Sequence, residues 1–258
     1  MSLVLVEKRD THVEVVLNRV DKHNALSMKM IEELTSLFKS LESDSKGDKW
    51  QSLVIRSASS KAFCAGADLT ERISMSDDEV IVALDSLRSL MSAIEKFPLP
   101  TLAVLEGVAF GGGLEMALCC DLRFAGPNVE YGLTETMLAI IPGAGGTQRL
   151  ARLLGAAKAK ELIFTARRVK ASCKDFALFS YVGDDALEQA RAVATEISKT
   201  GPIALRAAKE AISYAQTLSI EEALDWEREC YLKTLKTEDR HEALRAFSEK
   251  RSPNFKGK

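Results

Sequence analysis

The chain has 258 residues, 46% hydrophobic and 28% charged. That balance suits a globular chain and excludes a disordered or fibrous one. Lysine and arginine total 35 and aspartate and glutamate 37, a net charge of −2, so no global field recruits nucleic acid or an anionic membrane.

Residues 1–9 lack the apolar core of a signal peptide and the composition of a transit peptide. Residues 3–6 and 12–17 alternate or run in β-branched side chains around Arg9, Asp10 and Thr11, which predicts a hairpin. From Ser27 the period changes. Met30, Ile31, Leu34, Leu37, Phe38 and Leu41 recur at helical spacing, with Ser27 as N-cap. Lys29, Glu32, Glu33 and Lys39 mark its wet face. Residues 52–57 read as a strand that empties into a turn of small residues at 61–68.

Ser76 and Glu79 form a capping box ahead of a helix striped by Val80, Leu84, Leu87, Met91 and Ile94. Pro98 and Pro100 end it and lead into a strand at 101–105. A strand, a glycine turn and a helix occupy 104–120, and another strand runs over 122–125. A second glycine cluster at 142–146 opens a helix over 148–154. Strands and helices alternate to about residue 190, the pattern of a layered α/β domain. Beyond it only helices are predicted: one through Leu205, Ala208 and Ile212, one capped by Ser219 and Glu222, and a charged one over 240–251. The division is an α/β core over 1–195 and a helical region over 196–258. Apolar runs of about eight to twelve residues fall short of the roughly twenty that span a membrane.

The five cysteines, Cys64, Cys119, Cys120, Cys173 and Cys230, show no paired spacing and read as buried thiols in a reducing compartment. His12, His23 and His241 are scattered, so no histidine-based metal site is expected.

Three segments carry candidate chemistry. In the first, three glycines at 111–113 precede a helix, whose first N–H groups stabilise negative charge. Glu115 lies just inside it. Two readings stay open: a first-turn acid facing water, which the local pattern favours, or a buried carboxylate, which costs on the order of several kcal/mol unless paired. In the second, Glu135 sits in a largely apolar stretch, as a loop acid or as a site group, while Glu130 adjoins a turn. The third is the turn at 61–68, able to present backbone N–H groups. Nucleotide-binding glycine fingerprints, a phosphate loop and a serine-nucleophile elbow are absent from the sequence. Cys64 has no histidine near it in sequence and reads as a core thiol.

Together these segments resemble the enoyl-CoA hydratase/isomerase (crotonase) superfamily. The matching pieces are LNRVDKHNAL at 17–26, KAFCAGADL at 61–69, EGVAFGGGLEMALCCD at 106–121, YGLTE at 131–135, IPGAGGTQRL at 141–150 and the tail FSEKRSPNFKGK. They occur in family order and span nearly the whole chain. The resemblance implies an α/β spiral of repeated β-β-α turns with a C-terminal helical oligomerisation region, forming trimers or paired trimers. It implies an oxyanion hole from the N–H groups of Ala67 and Gly112. Two such donors aimed at a thioester oxygen are worth about 3 kcal/mol each. Glu115 and Glu135 match the two hydratase acids, Glu115 as the base on water and Glu135 as the acid to Cα.

Coenzyme A contacts carry over to Lys22, Ala25 and Leu26 at the adenine–ribose end. Ala65, Gly66, Asp68 and Leu69 match the pantetheine turn, and Phe247 and Lys250 match tail positions, Lys250 reading equally as a solvated surface lysine. Coenzyme A belongs to the substrate, and no further cofactor or metal is implied. The segment GLTETMLAIIPG looks most like the methylglutaconyl-CoA hydratase branch. Phe176 and Ser180 depart from the family's alanine and glycine and add bulk where a helix and a strand pack. The alternatives are a Δ3,Δ2-enoyl-CoA isomerase and a non-catalytic acyl-CoA-binding protein; RNA binding as the main role is disfavoured by the mixed-charge helix and the net charge. The expected compartment is the cytoplasm for a bacterial chain and the mitochondrial matrix for a processed eukaryotic one.

Overall fold

Strand β1 (Val4–Lys8) pairs antiparallel with β2 (Val13–Leu17), Val4 facing Leu17, so the predicted hairpin is present. The structure, a computed structural model, describes residues 2–45, 50–215 and 217–258. Helix α1 (Met28–Asp44) starts at Ser27, whose hydroxyl accepts from the Met30 N–H at 3.3 Å. A repeating course then begins. Strand β3 (Leu53–Ser57) enters a large sheet, β4 (Ala62–Cys64) enters a small one, and α2 (Leu69–Arg72) and α3 (Asp77–Glu95) lead back. The second turn is β5 (Thr101–Leu105), β6 (Val108–Phe110) and α4 (Gly112–Cys119). The third is β7 (Leu122–Ala125), β8 (Glu130–Gly132), α5 (Gly146–Leu154) and α6 (Ala156–Thr165). Strands β9 (Val169–Lys170) and β10 (Tyr181–Val182) finish the two sheets. Helices α7 (Ala186–Ile197), α8 (Pro202–Ser213), α9 (Ile220–Leu235) and α10 (Glu238–Ser248) follow.

The large sheet runs β1-β2-β3-β5-β7-β10 and is parallel except for its first pair. The small one runs β4-β6-β8-β9, parallel except for its last pair. Each turn of the chain gives one strand to each sheet and then a helix. This is the α/β spiral of β-β-α turns that the motifs imply, with helices at the C-terminal end.

Side-chain alternation divides the large sheet into two faces. Val13, Val15, Leu17, Leu53, Ile55, Ala103 and Leu105 face the main core under α1, α3 and α4. Val54, Leu102, Val104 and Phe124 face a smaller core closed by Ala186 and Ala190 of α7. The predicted turn at 61–68 contains β4, too short to show a periodicity of its own. Phe176 is buried, and its carbonyl accepts from the Tyr131 hydroxyl. Ser180 is exposed. The added bulk is thus absorbed on one side and directed to solvent on the other.

Helix α8 is tied to the core by Lys209, whose ammonium reaches the Leu99 carbonyl at 2.9 Å and Asp121 at 2.6 Å. Helix α9 packs on α8. Ile220, Leu224, Tyr231, Leu244 and Phe247 of α9 and α10 are left exposed. Among the described residues no helix is long and apolar enough to cross a membrane.

On the α7 face, Glu14 of β2 is fully buried. Its carboxylate accepts from Arg56 of β3 and from Arg191 of α7, the latter at 2.8 Å, and lies 3.3 Å from the His12 ring. Burial would raise its pKa, but hydrogen bonds from His12, Arg191 and Arg56 hold it well below the carboxylate range. The stabilisation is therefore complete above the ordinary glutamate value of 4.5 and fades as pH falls below it. Glu14→Ala removes the carboxylate that joins Arg56 and Arg191 across the sheet–helix seam and leaves each arginine with its second partner, Glu7 and Glu188. It should cost about 2 kcal/mol in urea unfolding at pH 7, and less at pH 3; an equal loss at both pH values would refute the ionic clamp.

Candidate active site

The glycine turn after β6 owes its sequence to a close approach. A methyl on Gly113 would sit 2.1 Å from the Cys64 carbonyl oxygen, so only glycine lets α4 reach the end of β4. On the other side Gly66 turns the chain with φ +103°. There a Cβ would lie 3.0 Å from the Phe110 carbonyl oxygen and 3.6 Å from the Gly112 nitrogen. A Cβ on Gly112 would lie 3.8 Å from the Ala67 nitrogen. The N–H groups of Ala67 and Gly112 are thus neighbours, although 45 residues separate them in sequence (112 − 67).

Both N–H groups are free for local reasons. Ala67 bridges to Leu26 in parallel register. In that register the flanking residues make the bonds: Leu26 N–H to the Gly66 carbonyl at 2.8 Å, and Asp68 N–H to the Leu26 carbonyl at 3.1 Å. Gly112 is the first residue of α4, where an N–H has no partner within the helix. Among the described residues neither N–H has an acceptor.

Glu115 is 2% exposed, so the water-facing reading of this acid is overturned. All of α4 is buried, and its first turn points inward. One oxygen, Oε1, accepts from the N–H groups of Ala144 and Gly146, both at 2.8 Å. Burial raises its pKa, against those two bonds and the nearby Arg149 guanidinium, and the net direction is upward. The glycine cluster at 142–146 was visible in the sequence. Its role as the cradle of Glu115 was not, because the two segments meet only in the fold.

Glu135 begins a 3-10 turn, Glu135–Leu138, after β8. Thr136 anchors that turn by donating to the Ile163 carbonyl at 2.8 Å. Glu135 Oε1 lies 3.1 Å from where a Cβ on Gly111 would stand. Oε2 is buried, with no hydrogen-bond partner among the described residues. Burial pushes its pKa up to about 7, the negative charge of Glu115 adding to a rise that its own N–H partly offsets. Glu135 is thus half-buried rather than a fully solvated loop acid. Both acids border the turn that presents the Gly112 N–H, and their environments differ: one oxygen of Glu115 is doubly hydrogen-bonded, while one of Glu135 has nothing to accept.

The two segments expected to border coenzyme A are brought together. Ala65 N–H donates to the His23 carbonyl at 3.0 Å, beside the Leu26 pairing described above. Leu26 is buried, with its Cδ1 3.3 Å from where a Gly112 Cβ would stand. Ala25 is half-buried, and Lys22, Ala65 and Leu69 are exposed. Asp68 is buried and committed: it pairs with Arg19 at 2.6 Å and caps α2 through the Thr70 N–H at 3.0 Å.

Asn24 is the organiser that residue-type reasoning passed over. Fully buried at φ 55°, it donates to Ser57 at 2.8 Å and the Phe63 carbonyl at 3.0 Å, and accepts from the Arg19 N–H at 2.8 Å. Phe247, 86% exposed, and Lys250 stand at the tail. Within one chain their side chains make no hydrogen bond, ion pair or ring contact with the site among the described residues. No cluster of three or more histidine, cysteine or acidic side chains fit to hold a metal occurs among the described residues.

A spiral of β-β-α turns, with two unpaired N–H groups side by side and two carboxyls bordering the same glycine turn, is a crotonase-type fold. The sequence model of the enoyl-CoA hydratase/isomerase family matches residues 7–258, and the chain belongs to that family. It is 45% identical over 248 residues to the probable mitochondrial enoyl-CoA hydratase 2 of Arabidopsis thaliana, covering 95% of this chain and 81% of that one. It is 43% identical over 260 residues to the mitochondrial methylglutaconyl-CoA hydratase of Homo sapiens, covering 98% and 76%. A crystal structure of an enoyl-CoA hydratase from Bacillus anthracis superposes with a TM-score of 0.95 at 41% identity, over 100% of both chains.

The Glu135 shift has a consequence for stability. A carboxyl raised to about 7 in the fold from an ordinary 4.5 stabilises below 4.5, and that contribution is lost as pH rises through 7. Glu135→Gln stays neutral and escapes the loss. Its Tm should exceed the parent's by about 2–4 °C at pH 8 and match it near pH 4; thermal melts at the two pH values decide.

Proposed function

We propose that this chain is an enoyl-CoA hydratase, a hydro-lyase that adds water syn across the 2,3-double bond of a 2-enoyl-CoA thioester. The observation that carries the reading is the split between the two acids: Glu115 accepts two backbone N–H bonds at one oxygen, while Glu135 is raised to about 7 with an unpartnered oxygen. Glu115 takes a proton from water, whose oxygen bonds to Cβ. Glu135 gives its proton to Cα. Charge that gathers on the thioester oxygen is met by the N–H groups of Ala67 and Gly112, reinforced by the positive end of α4. The two acids share one proton in the working state, so their titrations are coupled. The chemistry asks for no metal and no cofactor beyond the coenzyme A of the substrate.

Lys22 serves the phosphates of coenzyme A, and Ala25 and Leu26 border its adenine–ribose end. Ala65, Gly66 and Leu69 line the pantetheine. Asp68 acts there through its backbone, since Arg19 holds its carboxylate. Phe247 and Lys250 reach the coenzyme A of a neighbouring subunit in a trimer or paired trimers. The exposed apolar side chains of α9 and α10 support that assembly. The helical region beyond residue 195 is its assembly element. A branched, carboxylated substrate, 3-methylglutaconyl-CoA, is supported by the relative that carries that name. Relatives named as mitochondrial and a relative from Bacillus subtilis support the matrix or the bacterial cytoplasm as the compartment.

Crotonyl-CoA hydration tests the acid pair. Glu115→Gln and Glu135→Gln should each lower kcat by about 10²–10⁴-fold, with KM little changed; near-parental turnover in either sinks the assignment. An acyl-CoA panel with mass-spectrometric product identification then separates hydration from 3-enoyl isomerisation. The ratio of kcat/KM for 3-methylglutaconyl-CoA and crotonyl-CoA sets the substrate, and light scattering that gave a monomer would remove the assembly.

A further inference from the structure

The cradle of Glu115 has an outer support. Arg149 of α5 splits its guanidinium between two tasks. Nε and Nη2 meet both oxygens of Glu95, the last residue of α3, at 2.9 and 2.7 Å. Nη1 donates to the Ala144 carbonyl at 2.9 Å. That carbonyl belongs to the peptide between Ala144 and Gly145. The N–H groups that hold Glu115 belong to the peptides on either side of it, those of Ala144 and Gly146. Gripping the middle carbonyl therefore fixes the direction of both donors. The packing leaves little slack: a Cβ on Gly145 would stand 2.0 Å from Arg149 Nη1. The chain of contacts joins three helices, α3 through Glu95, α5 through Arg149 and α4 through Glu115, and both outer helices pack on α4.

We infer that Arg149, oriented by Glu95, is a positioning residue for the reaction: it braces the 144–146 loop so that two N–H groups hold the Glu115 carboxyl in place. The inference rests on the reading of Glu115 as the base. A two-point pair fixes a planar guanidinium in a way that a lysine ammonium does not. The side chain of Arg149 is 15% exposed, so its charge is incompletely screened. Its positive charge opposes the rise that burial imposes on Glu115. The other charged or titratable groups facing this cluster are Lys96 after α3, Cys119 on α4, Arg152 on α5 and Glu135 across Gly111. Burial pushes the Cys119 thiol far up, so it stays neutral.

The test uses the full chain. Arg149→Met should lower kcat for crotonyl-CoA hydration by about 10–100-fold while KM moves less than about threefold. The ascending limb of its kcat–pH profile should move to higher pH, because a lost cation favours the protonated acid. Arg149→Lys keeps the charge without the fork, and should hold the limb near the parent's while kcat still falls. Glu95→Gln, at a half-exposed position that tolerates change, should lower kcat by about threefold or more with KM unchanged. Carbon-13 titration of the Glu115 carboxyl needs no turnover and should show a midpoint raised by about half a unit or more in Arg149→Met. Folded variants with kcat within about twofold of the parent's, or an unmoved Glu115 midpoint, overturn the brace. If the parent protein hydrates no 2-enoyl-CoA, the reading of Glu115 as base falls, and the carboxyl titration alone then decides whether Arg149 sets its ionisation.

Discussion

The contact on which the site depends is the approach of the first turn of α4 to the end of β4. A methyl group at Gly113 would lie 2.1 Å from the Cys64 carbonyl oxygen, so the two backbones meet with no side chain between them. That contact places the N-terminus of α4 beside the Gly66–Ala67 turn and sets two unpaired N–H groups next to each other. Everything reactive in the proposal is indexed to it. Glu115 follows Gly112 by less than one helical turn, and Glu135 abuts Gly111. Removing water from this place strengthens each of these fields, since they act through a poorly polarisable surrounding.

Burial acts on the two acids with one sign and is answered differently. Both carboxyls are raised by desolvation. Two backbone N–H groups and a guanidinium offset that rise at Glu115, and almost nothing does so at Glu135. The same fold therefore gives the two acids different surroundings. Elsewhere the structure shows what full compensation does. At Glu14, buried as fully as Glu115, His12, Arg191 and Arg56 drive the pKa the other way. The clamp between sheet and helix has a fully satisfied carboxylate; Glu135, the proposed proton donor, has an unsatisfied one.

Much of this was legible along the chain. The caps at Ser27, Ser76 and Ser219 are in place, because capping is local and needs only three or four residues. The β1–β2 hairpin and the stripe on α1 follow from period alone. Most of the small sheet was not legible: β4 and β8 have three residues each, too few for any periodicity to declare itself. Residue pattern misread Glu115, since a first-turn acid is common on solvated helices and nothing within a few residues reveals that α4 is buried all round. The ordered motifs drew attention to Glu115 as part of a set.

The sequence by itself determined the longer helices and strands, the helical tail, the family and the identity of the residues in its motifs, because those depend on neighbours in the chain. The tertiary structure decided what those residues do to one another. Ala67 meets Gly112 across 45 residues (112 − 67), Glu115 meets Ala144 across 29, and Asn24 meets Phe63 across 39. The ionisation of a carboxyl is set by what surrounds it in space. Only the folded chain supplies the desolvation, the two N–H donors and the guanidinium that make two chemically identical glutamates different.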